Sequence, residues 1–310
     1  MEGLNCNAVN IPNDILTNKA YHEDDFLYNK LILRTISKYR NVETLVFKDN
    51  PVFIYKLKKI TLKIKAYLPS TSYSLTNEIF ILAKNEKSPS LEIVTNNNNN
   101  KFIEALTKNV MRSSRATYII DLKKDNKALF SNMADYKRRN IKSAEKKGVL
   151  VIRDINDAIF NAWWAIYLKT VKRGRFVPED KKFVWALLSK KACELFTAWK
   201  DDRLLAGAVV SVNNYPFYYI GGSAKDDPEL NASSLVHWHI IEHYKKKGYD
   251  IYDMGGALLD VGHGPTRFKK SFGGELLKTV HYKITLNPLF AKALGIIRHI
   301  YYDGLKRSAF

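Results

Sequence analysis

A short basic segment that contains Lys269 stands between two glycine-rich stretches in the last quarter of the chain. Lys269 follows Gly262–Gly264 and precedes Gly273–Gly274. Because glycine has no side chain, backbone N–H groups in such stretches can approach a ligand closely. An ammonium beside them can stabilise negative charge that develops on a substrate oxygen. The competing interpretation is a solvated basic strip, since Arg267 and Lys270 flank the same lysine.

Two arginines in another loop could hold a phosphate group. Arg173 and Arg175 come just before Phe176, in the stretch KRGRFVPED. The guanidinium group suits this role because its fork donates two parallel hydrogen bonds. Of the two, Arg175 is the preferred candidate.

Two further side chains are candidates for contact with a substrate. Asp253 borders the turn formed by Gly255 and Gly256, and this position makes it the candidate general base. Tyr219 could line the channel for an acceptor substrate. The alternative for Tyr219 is an ordinary aromatic residue in a half-buried strand.

One short motif suggests a metal site. His239 and His243 fit the His-x-x-Glu-His pattern of some zinc peptidases, and they would share one helix face. A third ligand is needed, and the only glutamate after His243 is Glu275, inside a glycine-rich motif. The two cysteines, Cys6 and Cys193, cannot form a multi-cysteine zinc site. We therefore expect no metal and no cofactor, and a polar helix face at these histidines.

The elements that position these residues follow a clear order in the second half of the chain. Three β-rich runs, LFTAWK, RLLAGAVVSV and PFYYIGGS, are separated by the polar turns Asp201-Asp202 and Asn213-Asn214, which indicates an antiparallel meander. A helix over Ala232–Lys247 then ends at Gly248 and is followed by the strand YDIYDMGG. This order predicts an α/β (α+β) fold with a mixed sheet.

The first half shows a looser version of the same order. Lys58–Lys65 alternates apolar residues with lysines and predicts a half-buried strand, and Asn77–Ala83 is a shorter strand candidate. A basic helix is predicted over 131–147, with Ser131 as its N-cap and Gly148 as its C-terminal stop.

The charge balance predicts an anionic partner. Lys and Arg number 50 against 31 Asp and Glu, which gives a net charge of +19. Such a field concentrates polyanions near the protein, and the candidates are tRNA, anionic lipid headgroups and pyrophosphate-bearing substrates. The alternative is a compositional bias of the genome toward lysine.

No targeting signal is apparent in the sequence. The first residues lack the basic and apolar regions of a signal peptide, and no apolar stretch reaches the length of a membrane span. We expect a cytoplasmic protein, with the inner membrane surface as an alternative site of contact. Leu286–Tyr302 is apolar but carries charges, so it either touches a membrane surface or packs against the body of the protein.

The segment from Tyr218 to Gly274 resembles the FemABX family, which includes the lipid II glycyl- and alanyl-transferases, and related acetyltransferases. The matching pieces in this segment are Tyr219 with Gly221-Gly222-Ser223, Trp238, Gly248, Tyr252-Asp253 with Gly255-Gly256, and Phe268-Lys269 followed by Phe272-Gly273-Gly274. Upstream, Lys137-Arg138-Arg139-Asn140-Ile141 also looks like the family.

This resemblance implies two GNAT-like domains side by side, each a largely antiparallel mixed sheet flanked by helices. The first domain would span 1–150 together with 286–310, and the second 151–285. Family members usually take an aminoacyl-tRNA as donor and a phosphate-bearing peptidoglycan precursor as acceptor.

The resemblance also assigns roles to particular residues. Lys269 of the Phe-Lys motif would be catalytic, with Phe268 in contact with substrate. Arg138 and Arg139, on the basic helix, would contact its phosphates. A single copy of the chain, a monomer, is expected to act.

Two alternatives remain beside aminoacyl transfer. The first is acyl-CoA-dependent N-acetyl transfer. The usual acyl-CoA loop, Arg/Gln-x-x-Gly-x-Gly/Ala, is not found at the expected helix start, which favours a tRNA donor over acetyl-CoA. The second is a non-catalytic relic of the fold that binds tRNA or lipid, because fold alone does not fix function.

Overall fold

The computed structural model contains one continuous sheet with helices on both faces. It describes residues 42–47, 50–57, 60–68, 73–95, 103, 107–174, 176, 178–212, 214–225, 228–259, 262, 264–293 and 296. The strands of these residues are β1 (Val42–Phe47), β2 (Asn50–Leu57), β3 (Ile60–Tyr67), β4 (Ser90–Thr95), β5 (Val110–Asp121), β6 (Leu150–Ile152), β7 (Cys193–Lys200), β8 (Arg203–Val212), β9 (Pro216–Ser223), β10 (Ile251–Ala257) and β11 (Glu275–Thr285). The α-helices are α1 (Tyr73–Asn85), α2 (Asn126–Ser131), α3 (Asp135–Lys146), α4 (Asp157–Gly174), α5 (Lys181–Ser189), α6 (Ala232–Lys246) and α7 (Gly264–Lys270).

The strand order is β1-β2-β3-β4-β11-β5-β10-β9-β8-β7-β6. The pairs β3–β4 and β9–β10 are parallel, and the other neighbours are antiparallel. The fold is therefore mixed α/β, and the predicted meander over β7, β8 and β9 has the expected antiparallel pairing. The last strand, β11, lies between β4 and β5, so the sheet runs without a break from the first half of the chain into the second. The division near residue 150 stays a prediction.

Alternation along β7 places helices on opposite faces of the sheet. Phe196 and Ala198 pack into a core with residues of α3 and α6, whereas Leu195 packs into a second core with residues of α4 and α5. Successive strand residues point to opposite faces, which explains this division. The helices α3 and α4 therefore lie on different faces, although they are neighbours in the sequence.

Two predictions about helices in the first half are wrong. The basic helix begins at Asp135 after an N-cap at Ala134 that makes no side-chain bond, while Ser131 is the last residue of the separate helix α2. Gly148 does follow the helix with a left-handed φ of 71°. The run Asn77–Ala83 is part of the helix α1 and not a strand. Short apolar runs of this kind are compatible with a strand or a helix, and here the run forms a helix that buries its apolar side chains.

The end of β11 contacts the first half of the chain. The backbone N–H groups of Leu286 and Asn287 both donate to the carbonyl oxygen of Pro89. Leu286 also packs against a core formed by β2, β3, β4, α1 and β11. The rest of the predicted returning segment up to Phe310 is described only through residue 293 and at 296, so its packing stays a prediction. Within the described residues, none of the helices has the length and apolar character needed to cross a membrane.

Candidate active site

A cavity lies beside the strands β9 and β10. They share one register pair, Phe217 with Asp253, and β10 is irregular between Asp253 and Gly256. A cavity of about 270 Å³ opens beside this point. Its walls come from β8, β9, α4, α6 and α7, and they include Thr170, Gly207, Tyr218, Gly221, Gly222, Ser223, His237, Phe268 and Lys269. Elements from both faces of the sheet thus contribute to one cavity.

Lys269 is a buried lysine on the cavity wall and not part of a solvated strip. Only 8% of the residue is exposed, and its ammonium donates a 2.7 Å hydrogen bond to the carbonyl oxygen of Gly256. The same nitrogen lies 5.4 Å from the ring centre of Tyr218. Burial lowers the pKa of Lys269 to about 8, and the negative charge of Asp253 opposes this shift. Its neighbour Lys270 is exposed.

Asp253 holds the turn that lies next to Lys269. Its buried carboxylate accepts hydrogen bonds from the hydroxyl of Thr117 and, at 2.7 Å, from the N–H of Gly255. Gly255 has a φ of 73°, a left-handed conformation that favours glycine. These contacts hold the irregular turn whose next carbonyl, that of Gly256, accepts from Lys269. Asp253 is not among the described residues that line the cavity, and the contacts given above are to the turn beside Lys269, so its role as a general base stays a prediction.

Two side chains of the site were missed by the sequence analysis. His237 lines the cavity, and its Nδ1 lies 2.9 Å from the hydroxyl of Tyr252. Burial, followed by the positive charges of Lys137 and Lys269, lowers the pKa of His237 to about 3. The imidazole is therefore neutral at physiological pH. A base this weak does not remove a proton from an ammonium ion, and we place no general base there.

Lys137 is the second missed residue. Only 3% of it is exposed, and its ammonium donates to the hydroxyl of Ser234 at 2.9 Å. The nitrogen also lies 4.1 Å from the ring centre of Phe268 and 4.7 Å from that of Phe272. Burial lowers the pKa of Lys137 to about 8. A signal for this burial existed in the sequence, because Lys137, Ile141 and Ala144 share one helical face.

The aromatic candidates are only partly placed as predicted. Phe268 lines the cavity and lies between it and the ammonium of Lys137. On β9, Tyr218 lines the cavity, whereas Tyr219 packs into the core that contains α4 and α5. Tyr219 was predicted to line the channel, but the tyrosine that reaches the cavity is its neighbour Tyr218. Burial raises the pKa of Tyr218 to about 12, which keeps its phenol protonated and able to donate.

Among the described residues, the predicted phosphate-binding arginines lie on helices at different faces of the sheet. Arg173 donates to the hydroxyl of Thr170 at 3.1 Å and to the carbonyl of Ser223 at 3.0 Å, both at the cavity wall. Arg175 lies outside the described residues. Arg138 donates to the carbonyl of Met133 and pairs with Asp135, both beside the start of its own helix.

Arg139 is exposed on α3, and α3 and α4 occupy different faces of the sheet. Gly255 and Gly256 form the turn behind Lys269 and are not among the described residues that line the cavity. Their contribution to a substrate site is therefore through Lys269.

The histidine pair of the zinc-like pattern lies on α6. The Nε2 of His243 is 3.6 Å from the carboxylate of Glu194, which also accepts from Tyr244, Arg153 and Lys247. Within the part of the chain that the structure describes, no group of three His, Cys, Asp or Glu side chains could hold a metal ion. This glutamate is instead the centre of a polar network at the surface.

The mixed sheet and the buried lysine on the cavity wall agree with a transferase domain of the GNAT type. Residues 131–270 match the family model described as an acetyltransferase (GNAT) domain. That segment contains Lys137, His237, Tyr218 and Lys269, so the matched region carries the cavity. None of the curated proteins is detectably similar to the chain in sequence.

Solved structures share the fold over most of the chain. The crystal structure of FemX has a TM-score of 0.65 at 16% identity and covers 88% of this chain and 97% of its own. A C-terminal domain ascribed to a lysylphosphatidylglycerol synthetase from Agrobacterium fabrum has a TM-score of 0.59 at 11% identity, covering 91% and 93%. The structure of L-PGS from Bacillus licheniformis has a TM-score of 0.59 at 9% identity, covering 88% and 96%. The predicted resemblance and fold class are thus confirmed.

Proposed function

We propose that this chain is an acyltransferase that forms an amide bond in the cavity whose walls come from β8, β9, α4, α6 and α7. The observation that carries the proposal is the position of Lys269. Its ammonium is buried at the wall of a cavity, and it has three N–H donors, of which one is directed at Gly256. A cation held in this way in a water-poor site is able to stabilise an oxyanion without further reorganisation.

The reaction needs no nucleophile from the enzyme. The nitrogen of the acceptor amine attacks the carbonyl carbon of an activated ester or thioester, and the carbonyl oxygen becomes negatively charged. When the carbon–oxygen or carbon–sulfur bond breaks, the leaving alcohol or thiol takes up the proton that the amine gives away. In this scheme Lys269 stabilises the oxyanion, and the neutral phenol of Tyr218 is a second donor at the wall. The cavity itself aligns the two substrates.

The preferred substrates are an aminoacyl-tRNA as donor and a peptidoglycan precursor of the lipid II type as acceptor. The likeness to FemX supports a cell-wall acceptor. The second likeness, to the domain ascribed to a lysylphosphatidylglycerol synthetase, supports aminoacyl transfer with a lipid acceptor instead. The net charge of +19 suits either anionic substrate.

One alternative donor is supported by a specific observation. The family model that matches residues 131–270 describes an acetyltransferase domain, which favours acyl-CoA as donor. Both donors present an activated carbonyl and phosphate groups, so the chemistry at Lys269 would be the same for either.

The test is transfer by the purified protein. It is incubated with charged tRNA or with acetyl-CoA, and separately with a lipid II-type precursor, whose amine would form an amide, or with phosphatidylglycerol, whose hydroxyl would form an ester, and the products are identified by mass spectrometry. We expect an acceptor whose mass has increased by one aminoacyl group, in reactions that contain charged tRNA. An acetylated acceptor would select the alternative donor. Transfer to phosphatidylglycerol alone would form an ester and would contradict amide formation, and no transfer with any combination would contradict the proposal and favour a binding protein.

A further inference from the structure

A second cavity lies beside the first and has basic walls. Its volume is about 560 Å³, and it is formed by the C-terminal half of α4 with the start of β8 and the residues after β9. The described residues that line it include five cations, Lys169, Lys172, Arg173, Arg203 and Lys225, and none of them is acidic.

The sequence of α4 explains why three of these charges cluster. Lys172 and Arg173 lie three and four residues after Lys169, which places the three side chains on one side of the helix. Like charges at such spacings destabilise an isolated helix by a few tenths of a kcal/mol per pair. An anion bound among them would offset this repulsion, and the flat fork of Arg173 is well suited to a phosphate.

The two cavities share a wall. Arg173 lines the basic cavity, and its guanidinium donates to the hydroxyl of Thr170 and to the carbonyl of Ser223. Both of these residues line the first cavity, in which Lys269 lies. The contact between α4 and the end of β9 therefore separates the basic cavity from the candidate active site.

The basic helix α3 is the alternative place for an anion. On this helix Lys137 is buried against aromatic rings, and Arg138 is bonded to residues at the start of its own helix. The helix also packs in the core on the opposite face of the sheet from α4. Its outer charges are therefore not shared with the wall of the first cavity.

We propose that the basic cavity binds the phosphate groups of the acyl donor while the acyl end of the donor lies in the first cavity. This inference rests on the proposed acyltransferase function and adds the position of the donor. The ligand class is a phosphate-bearing carrier, which is the shared chemistry of tRNA and coenzyme A. The phosphates anchor the donor in the basic cavity, and its reactive end extends past the wall formed by Arg173, Thr170 and Ser223 into the first cavity.

The test is a binding measurement that does not depend on turnover. The double variant Lys169→Glu/Lys225→Glu reverses two exposed charges of the basic cavity, and the matched control Arg139→Glu/Lys146→Glu makes the same charge change on α3. Uncharged tRNA and coenzyme A are the two probes, titrated at several salt concentrations. We expect the cavity variant to bind one of them about tenfold or more weakly. The slope of the logarithm of its binding constant against the logarithm of the salt concentration should decrease by about two, and the control should bind nearly as well as wild type.

The outcomes separate this inference from the proposed function. Weaker binding of tRNA alone, or of coenzyme A alone, would support the cavity and identify the donor. Equal losses in both variants would show unspecific attraction to the basic surface and would overturn the inference, as would wild-type affinity of the cavity variant. If the cavity variant binds normally while the wild-type protein transfers acyl groups, the inference fails and the proposed function stands. If the wild-type protein binds donor in the cavity and transfers nothing, the proposed function fails.

Discussion

The ammonium of Lys269 donates a 2.7 Å hydrogen bond to the carbonyl oxygen of Gly256. This contact links the helix α7 to the irregular turn at the end of β10. The turn is held in place by Asp253, whose carboxylate accepts from the N–H of Gly255. A buried cation, a backbone carbonyl and a buried carboxylate thus form one continuous arrangement beside the cavity.

The lowered pKa of Lys269 predicts a specific pH dependence of activity. Because the pKa is about 8, the ammonium loses its proton as the pH rises through 8, and the stabilisation of an oxyanion is lost with it. We expect turnover under saturating substrate to fall above this pH. The variant Lys269→Arg keeps its charge throughout, so whatever activity it retains should lack the decline. A wild-type profile that rises steadily to pH 10 would contradict the assignment.

The same shifts predict that stability changes in the opposite direction. Lys137 and Lys269 have folded-state pKa values of about 8, against 10.5 in an unfolded chain. Between these values the unfolded state binds more protons, so the free energy of unfolding should rise from pH 8 toward pH 10. Urea unfolding at several pH values checks this slope. The double variant Lys137→Met/Lys269→Met should show a flatter dependence, and an unchanged slope would contradict the burial of the two charges.

Asp253→Asn should separate a positioning role from general-base catalysis. Removing the carboxylate charge takes away the effect that raises the pKa of Lys269, so the alkaline fall in activity should move to lower pH. Weaker hydrogen bonds to Thr117 and Gly255 should cost about 1–3 kcal/mol of stability. If Asp253 is instead the base, the variant would lose at least about a hundredfold in turnover with no shift in the alkaline limb.

The buried charge of Lys137 should cost the protein stability. Within the described residues, its ammonium contacts the hydroxyl of Ser234 and aromatic rings, and no carboxylate pairs with it. Replacing a buried charge by an apolar residue of similar volume is often neutral or stabilising by about 1–4 kcal/mol. Lys137→Met should therefore unfold at the same or a higher urea concentration, and the pKa of His237, measured by NMR, should rise. A loss of stability above about 1 kcal/mol would contradict this account.

Gly222 allows α4 to approach β9. A Cβ atom at this position would lie 2.7 Å from the Cα and 2.8 Å from the backbone nitrogen of Tyr167. Both are backbone atoms, so a side-chain rotation could not relieve the clash. We expect Gly222→Ala to cost about 1–3 kcal/mol in thermal or urea unfolding. The control is Gly264→Ala, because a Cβ atom there meets nothing within 4 Å. Equal stability of the two variants would show that the close approach is not required.

The sequence predicted most of the fold but only part of the site. Lys269 could be singled out because glycine-rich stretches flank it, and Phe268 because the Phe-Lys motif resembles that of the FemABX family. Lys137 was missed because it lies in a run of three basic residues, although it shares a helical face with Ile141 and Ala144; the packing of α3 against α6 shows that it points inward. The choice between Tyr218 and Tyr219 depends on which face of β9 meets the cavity, and strand alternation alone does not determine this. Asn77–Ala83 shows the same limit, since burial of Ile79 and Ala83 in a helix depends on tertiary contacts.

The most direct test of the account is the turnover of Lys269→Met beside that of Lys270→Met. Both variants lose one positive charge from adjacent positions, but the first lysine is buried at the cavity and the second is exposed. With the donor and acceptor found in the transfer assay, we expect Lys269→Met to lose about a hundredfold to a thousandfold in kcat. Lys270→Met should keep near-normal turnover, and both should remain folded by circular dichroism. Equal, near-normal turnover of two folded variants would contradict the role of Lys269 in the reaction.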